Sequence, residues 1–170
     1  SGAVALICAD EAWRRGKPVP LMITAAEAIE RSPSVKRAVV YQRTGGEVAL
    51  KDGRDVYWHD LCADLSDDPA SCPCEPMDSE DLLYLLYTSG TTAKPKGIVH
   101  TTGGYLVGTS TTHHYIFDIK PESVYWCAAD VGWVTGHSYI VYGPLQNGAT
   151  TIMYEGAPNF PEPDRFWRMI

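Results

Sequence analysis

The chain has 170 residues, 45% of them hydrophobic and 11% aromatic, a composition that fills a globular domain. Its 14 basic and 21 acidic residues leave a formal net charge of −7, which excludes a general nucleic-acid binder with its basic face but admits a nucleotide held by a local cluster of cations. No stretch approaches about 18 consecutive apolar residues, so no membrane span is expected, and the irregular spacing of Cys8, Cys62, Cys72, Cys74 and Cys127 does not make a secreted disulfide framework.

In chain order, Val4 to Cys8 reads as a buried strand, and Asp10 to Gly16 as a short helix or turn ending at glycine. Thr24-Ala25-Ala26-Glu27 is a capping box and predicts a helix from Ala25 to about Arg31, closed by Pro33. Arg37 to Arg43 reads as a strand, Thr44-Gly45-Gly46 and Asp52-Gly53 as turns, and Val56 to Leu65 as a segment that becomes helical after Trp58. Ser66 to Glu80 is polar, acidic and holds three prolines, which predicts a linker between two packed parts. Leu82 to Tyr87 is apolar throughout and predicts a strand buried on both faces, as in a parallel sheet. After a short apolar piece, Ile98 to Thr101, a helix is predicted over Thr102 to Phe117, weakened by Gly103, Gly104 and Gly108. Ser123 to Cys127 reads as a strand, His137 to Leu145 as a helix, Gln146-Asn147-Gly148 as a turn and Ala149 to Tyr154 as a strand. Alternating strands and helices define an α/β fold, a mostly parallel sheet flanked by helices. Asp164 to Ile170 reads as the first two turns of an amphipathic helix, and a strand begins almost at once after Ser1. The chain is therefore expected to be an internal piece of a longer protein, with segments 1–65 and 81–170 joined by the linker 66–80.

The chemistry concentrates in Tyr87-Thr88-Ser89-Gly90-Thr91-Thr92-Ala93-Lys94-Pro95-Lys96-Gly97. Small residues let a backbone approach a polyphosphate, N–H and hydroxyl groups donate to it, and lysines offset its charge. The order differs from the loop of the P-loop NTPases, in which four residues separate a glycine from Gly-Lys-Ser/Thr. Here six residues separate Gly90 from Gly97, Ile98 follows, and the hydroxyls precede the lysines. Read alone, the segment also fits a Ser/Thr/Gly-rich surface loop with solvated lysines. A second cation cluster, Arg14, Arg15 and Lys17 around Gly16, suits a phosphate-rich ligand or, equally, a solvated basic turn. Trp133-Val134-Thr135 offers an apolar wall beside a hydroxyl, or ordinary packing at a strand edge. Cys72-Pro73-Cys74 has a single intervening residue and no partner pair, and the adjacent His113 and His114 point to different faces, so no metal site is expected. His137 reads as a structural histidine near a helix start.

The order, hydroxyls first and then two lysines flanking Pro95, resembles the signature loop of the adenylate-forming enzymes, the superfamily of acyl-CoA synthetases, luciferase and peptide synthetase adenylation domains. Three further segments resemble the short-chain acyl-CoA synthetases, above all those that activate acetate: Ala9-Asp10-Glu11-Ala12-Trp13-Arg14-Arg15-Gly16-Lys17, Asp130-Val131-Gly132-Trp133-Val134-Thr135-Gly136-His137-Ser138-Tyr139, and Tyr154-Glu155-Gly156-Ala157-Pro158-Asn159. His100-Thr101-Thr102-Gly103-Gly104-Tyr105 and Tyr142-Gly143-Pro144-Leu145 are family-like too. Two departures stand out. Ala93 occupies a position usually held by glycine, and Lys17 one often held by arginine.

The resemblance implies the large N-terminal domain of an adenylate-forming enzyme, with 1–65 on the CoA side and 81–170 carrying the phosphate loop and acyl site. It implies a cytoplasmic ligase of acetate and CoA that uses ATP with Mg²⁺ and forms an acetyl-adenylate; propionate or another short acid is the alternative substrate, and a non-catalytic nucleotide-binding module the alternative function. Thr88, Ser89, Gly90, Thr91, Thr92, Lys94, Lys96 and Gly97 are its expected ATP phosphate loop. Arg14, Arg15, Gly16, Lys17, Thr135 and Asn159 are the expected CoA contacts, and Trp133, Val134 and Thr135 the acyl pocket. The catalytic lysine of the family is expected downstream, so the chain alone is expected to be inactive.

Overall fold

A computed structural model describes residues 2–88 and 94–170. They gather into two units, Ser1–Pro73 with Glu155–Ile170, and Cys74–Tyr154. The boundary falls within the stretch 66–80, and residues 155–170 pack with the first unit rather than with 81–154.

The first unit is built on a parallel sheet in which β1 (Ala5–Ala9) pairs with β4 (Arg37–Tyr41), and β4 with β5 (Asp55–Tyr57). β4 is central, and Ala38, Val39 and Val40 are buried in succession, as a strand covered on both faces requires. Helix α1 (Leu21–Glu30) places Met22 and Ile29 on one face, against Ala38 and Val40. Each of these larger side chains contributes about 1.5–3 kcal/mol on burial. Helix α2 (Trp58–Cys62) follows β5 directly.

Three sequence expectations fail in this unit. Residues 10–16 are not a helix: β2 (Glu11–Arg14) and β3 (Lys17–Pro20) form an antiparallel hairpin. Helix α1 also begins at Leu21, ahead of the capping box. The N–H groups of Leu21 and Met22 both donate to the Asp10 carbonyl oxygen at 3.1 Å, so a distant backbone group satisfies the helix start and Thr24 is not its cap. Near the chain end, the expected helix over 164–170 is replaced by turns, with N–H donations from Arg165 to Glu162, Arg168 to Asp164 and Met169 to Phe166.

In the second unit β6 (Leu82–Thr88) pairs with β7 (Lys96–Thr101), and β8 (Val124–Trp126) with β9 (Thr150–Ile152). The β8–β9 pair is parallel; β6–β7 is antiparallel, and β6 has exposed residues along its length, unlike the doubly buried parallel strand expected. Helix α3 (Thr102–Ile116) takes its first N–H donations outward, from Thr102 to the Asp81 carbonyl and from Gly103 to that of Ser79, both 2.8 Å. The expected helix over 137–145 is a run of α4 (Val134–Gly136), a wider π-turn over His137–Tyr142, and α5 (Gly143–Gln146). Gly143 lets the π-turn meet α3: a Cβ there would lie 2.7 Å from the Ser138 carbonyl oxygen and 3.0 Å from His113 Cβ. Among the described residues, no helix is long and apolar enough to cross a membrane.

Candidate functional site

In the first unit, the cations Arg14, Arg15 and Lys17 stand at the tip of the β2–β3 hairpin, all exposed. Arg14 pairs with Lys17 across a two-residue loop whose residues have φ of 51° at Arg15 and 71° at Gly16. Positive φ at both positions defines the primed turn that matches strand twist. Arginine in the left-handed region costs about 1–2 kcal/mol, which the surroundings must hold. In such a hairpin the closing pair exchanges hydrogen bonds and the alternation then leaves Pro18 and Pro20 at non-bonded positions, where a missing N–H costs the pairing nothing and the outer edge accepts no further strand.

The tip is braced by a segment far along the chain. Arg15 Nη2 donates to Asn159 Oδ1 at 3.3 Å. A Cβ on Gly16 would lie 3.1 Å from Phe160 Cζ, so the glycine is needed both for its φ and for the ring against it. Arg43 pairs with Glu155, which anchors the start of that segment. Among the described residues, none of Arg14, Arg15 and Lys17 is in a salt bridge. Of the residues expected to contact CoA, the structure thus brings together Arg14, Arg15, Gly16, Lys17 and Asn159. Thr135 belongs to the second unit.

Below the hairpin sits a residue to which sequence reasoning gave no role. Asp10 is 1% exposed. Its carboxylate accepts from the N–H groups of Glu11 (2.7 Å), Arg43 (2.8 Å), Thr44 (3.2 Å) and Gly45 (2.9 Å), and from the Thr44 hydroxyl (3.3 Å). Burial opposes its ionisation, but these backbone donors together outweigh burial and hold the carboxyl below the usual carboxylate range. The Glu11 carboxylate accepts from the same Thr44 hydroxyl at 2.8 Å. An acidic residue closing a strand, opposite a Thr-Gly-Gly turn rich in free N–H groups, is the signal that would have found it.

In the second unit, Thr88 and Lys96 are register partners, as are Tyr87 and Gly97. The two ends of the signature segment therefore meet at one place, with Thr88, Lys94, Lys96 and Gly97 exposed. A Cβ on Gly97 would lie 3.3 Å from the Tyr87 ring. Ser89, Gly90, Thr91, Thr92 and Ala93 lie outside the described residues.

Trp133, Val134 and Thr135 are exposed at the start of the helical run 134–146, Trp133 at 73%. Gly136 behind them is buried, and a Cβ there would fall 2.3 Å from the Asp130 carbonyl oxygen and 2.5 Å from Val131 Cα. Only glycine permits that approach of the 130–133 turn. His137 Nδ1 donates to the Trp133 carbonyl oxygen at 2.8 Å, and its ring stacks on Tyr84 of β6 with centroids 5.4 Å apart. These two contacts tie the Trp133 segment to β6, the strand that ends at Thr88. Tyr84 also stacks on His100 of β7 at 4.6 Å, and burial pushes its phenol pKa up. The stacking of Tyr84 with His100 and His137 was not foreseen from sequence, because single rings scattered over three segments carry no periodic signal.

An α/β fold with a hydroxyl- and lysine-rich loop between strands defines a nucleotide-binding class, and comparison with known proteins gives the family. The model of the AMP-binding enzymes matches residues 1–170, and the chain belongs to that family. It is 56% identical to an acetyl-coenzyme A synthetase of Rubrobacter xylanophilus over 99% of this chain and 26% of that protein, and 55% identical to one of Halorhodospira halophila over the same shares. An acetyl-coenzyme A synthetase of Nostoc linckia is 55% identical over 100% of this chain and 50% of that protein. The solved acetoacetyl-CoA synthetase of Streptomyces lividans superposes with a TM-score of 0.82 at 28% identity, covering 98% of this chain and 24% of that one. The chain thus spans between about a quarter and a half of the length of these curated relatives.

Proposed function

We propose that this chain is the part of an AMP-forming acetate–CoA ligase that holds the phosphates of ATP in one unit and the 3′-phospho-ADP end of CoA in the other. The observation that carries the reading is the junction of Arg15 and Asn159, 144 positions apart in sequence and 3.3 Å apart in space. It joins the two segments matched to CoA contacts into one cationic turn. The acetyl-coenzyme A synthetases that match at 55–56% identity support acetate as the acid.

In this reading a carboxylate oxygen of acetate attacks the α-phosphorus of ATP, the bond to the β-phosphate oxygen breaks, and diphosphate leaves. The CoA sulfur, its proton lost, then attacks the acyl carbon and AMP departs with the bonding pair. The first step gathers anions, so it requires charge compensation and alignment rather than covalent help. Thr88, Ser89, Thr91 and Thr92 donate to the β- and γ-phosphates, Lys94 and Lys96 offset their charge, and Gly90 and Gly97 let the backbone close on them. ATP enters as its Mg²⁺ complex, the ion held by phosphate oxygens. Trp133 and Val134 pack on the acetate methyl, with Thr135 at the thioester side. Arg14, Arg15, Lys17 and Asn159 bind CoA around Gly16.

The test is acetate-dependent ATP–diphosphate exchange by the gene product that contains this chain, with acetate and propionate at equal concentration. Exchange favouring acetate is the expected result. Exchange favouring propionate moves the substrate, and none with either acid overturns the ligase reading.

A further inference from the structure

We propose that Asp10 is the positioning residue of the CoA-binding turn, acting through the backbone at the base of the hairpin. The inference rests on the CoA reading above and adds a residue for which that reading has no role.

Both feet of the hairpin attach to this one residue. The N–H of Glu11, which opens β2, donates to the Asp10 carboxylate at 2.7 Å. The N–H groups of Leu21 and Met22, just beyond β3, donate to the Asp10 carbonyl oxygen at 3.1 Å. The Asp10 N–H in turn donates to Tyr41 of β4 at 3.0 Å, tying the base to the sheet. The carboxylate also gathers the N–H groups of Arg43, Thr44 and Gly45, and the Arg43 side chain pairs with Glu155 of the segment that carries Asn159 and Phe160. Asp10 thus fixes both feet of the hairpin and, through Arg43, is linked to the segment that braces its tip.

Geometry makes the base decisive. Arg14 stands four residues beyond Asp10, about 14 Å along an extended strand. A tilt of about 10° at the base moves the tip by about 2 Å, more than a hydrogen bond to a phosphate oxygen tolerates. The donors require a carboxylate: its two oxygens only accept, whereas an asparagine at this position would turn an NH₂ group towards N–H donors that have nowhere else to bond.

The experiment compares Asp10→Asn with the unmodified enzyme containing this chain, measuring acetate-dependent ATP–diphosphate exchange and thioester formation with CoA and with 3′-dephospho-CoA. The expected result is exchange within about twofold and a preference for CoA over 3′-dephospho-CoA that falls about tenfold or more. A residue that only stabilises the fold would not move that preference selectively. An unchanged preference overturns the proposal, and so does loss of exchange together with thioester formation in a folded variant. If Asp10→Asn does not fold, Thr44→Ala, which removes the hydroxyl shared by the Asp10 and Glu11 carboxylates, decides: a smaller fall in preference supports the proposal and none overturns it. Arg15→Ala in the same assays separates the two levels. If it leaves the preference intact, the CoA reading itself fails; if it removes the preference while Asp10→Asn and Thr44→Ala do not, only the role of Asp10 fails.

Discussion

The two units cohere by different chemistry. In the first, Met22, Ile29, Ala38 and Val40 form an apolar core between a helix and a parallel sheet, and the buried carboxylates of Asp10 and Asp55 are each held by several donors, Asp10 at the base of the site. In the second, the buried residues include Thr109, His113, Ser138, Gly136, Gly143 and Pro144. Its helices are joined by hydrogen bonds: Gln146 Nε2 to Thr109 Oγ1 (2.9 Å), Ser110 Oγ to Asn147 Oδ1 (3.0 Å), Asn147 Nδ2 to the carbonyl oxygens of Ser110 and Gly143 (3.0 Å each), and Thr112 with Tyr139 (2.9 Å). Apolar packing tolerates volume-conserving change and is indifferent to pH, whereas a polar, glycine-dependent interior depends on each partner and on charge state. The candidate sites follow the same division. The hairpin of the first unit is held from below by a buried cage, and the exposed residues of the second are positioned by close backbone approaches.

The largest expected effect is at the closest approach. Gly136→Ala puts a methyl 2.3 Å from a backbone oxygen, and the second unit is expected to lose about 4 kcal/mol in urea denaturation followed by hydrogen exchange, with displacement of Trp133. Met22→Ala in the first unit is expected to cost about 3 kcal/mol, confined to that unit.

The pH dependence sharpens the comparison further. Burial lowers the His113 pKa from 6.5, and its Nδ1 lies 3.2 Å from Asn147 Nδ2, whose two hydrogens go to the Ser110 and Gly143 carbonyl oxygens, so that a charged ring finds no acceptor there. Its Nε2 has no hydrogen-bond partner among the described residues. The unfolded chain therefore binds the proton first, and the contribution of neutral His113 is complete above about pH 6.5 and is lost as pH falls from there to the depressed native value. In the first unit, Asp55, which Arg54 grips through Nε (2.5 Å) and Nη2 (2.9 Å), has its carboxyl lowered by that arginine, and Asp10 is lowered by its backbone donors despite burial. Their contribution is present above 3.8 and is lost only as pH falls below that towards the native values. Hydrogen-exchange protection, corrected for intrinsic rates, is expected to weaken in the second unit as pH falls below about 6.5 while the first holds. His113→Phe is expected to remove the difference.

Smaller effects belong to the hairpin. Gly16→Ala strains a position at φ 71° by about 1 kcal/mol and presses on Phe160, so the KM for CoA is expected to rise with little change in diphosphate exchange. Lys17→Arg restores a forked donor and is expected to lower the KM for CoA by about threefold, measured by thioester formation.

Much of this was legible in the residues. The apolar runs located β1, β4, β6 and β8, the glycine-bearing helix α3 ran nearly as expected, and the signature loop and CoA segments pointed to the family. What escaped depended on contacts remote in sequence. The hairpin was read as helix or turn because four-residue strands are too short to show alternation and because an arginine with positive φ has no local signature. The start of α1 was misplaced because the Asp10 carbonyl, not Thr24, serves its first N–H groups. The setting of β6 was misjudged because an apolar run fixes neither strand direction nor the cover on each face. Asp10 was quoted within a motif, yet its donors, at residues 43–45, became visible only in three dimensions.

The most direct test of the account sets one lesion in each unit of the intact enzyme, Arg15→Ala and Lys96→Ala, and measures the two half-reactions separately. The account predicts that Lys96→Ala lowers acetate-dependent ATP–diphosphate exchange about tenfold or more, while Arg15→Ala spares exchange and raises the KM for CoA but not for 3′-dephospho-CoA. Equal loss of both half-reactions in either variant, or an Arg15→Ala enzyme with unchanged KM for CoA, would contradict it.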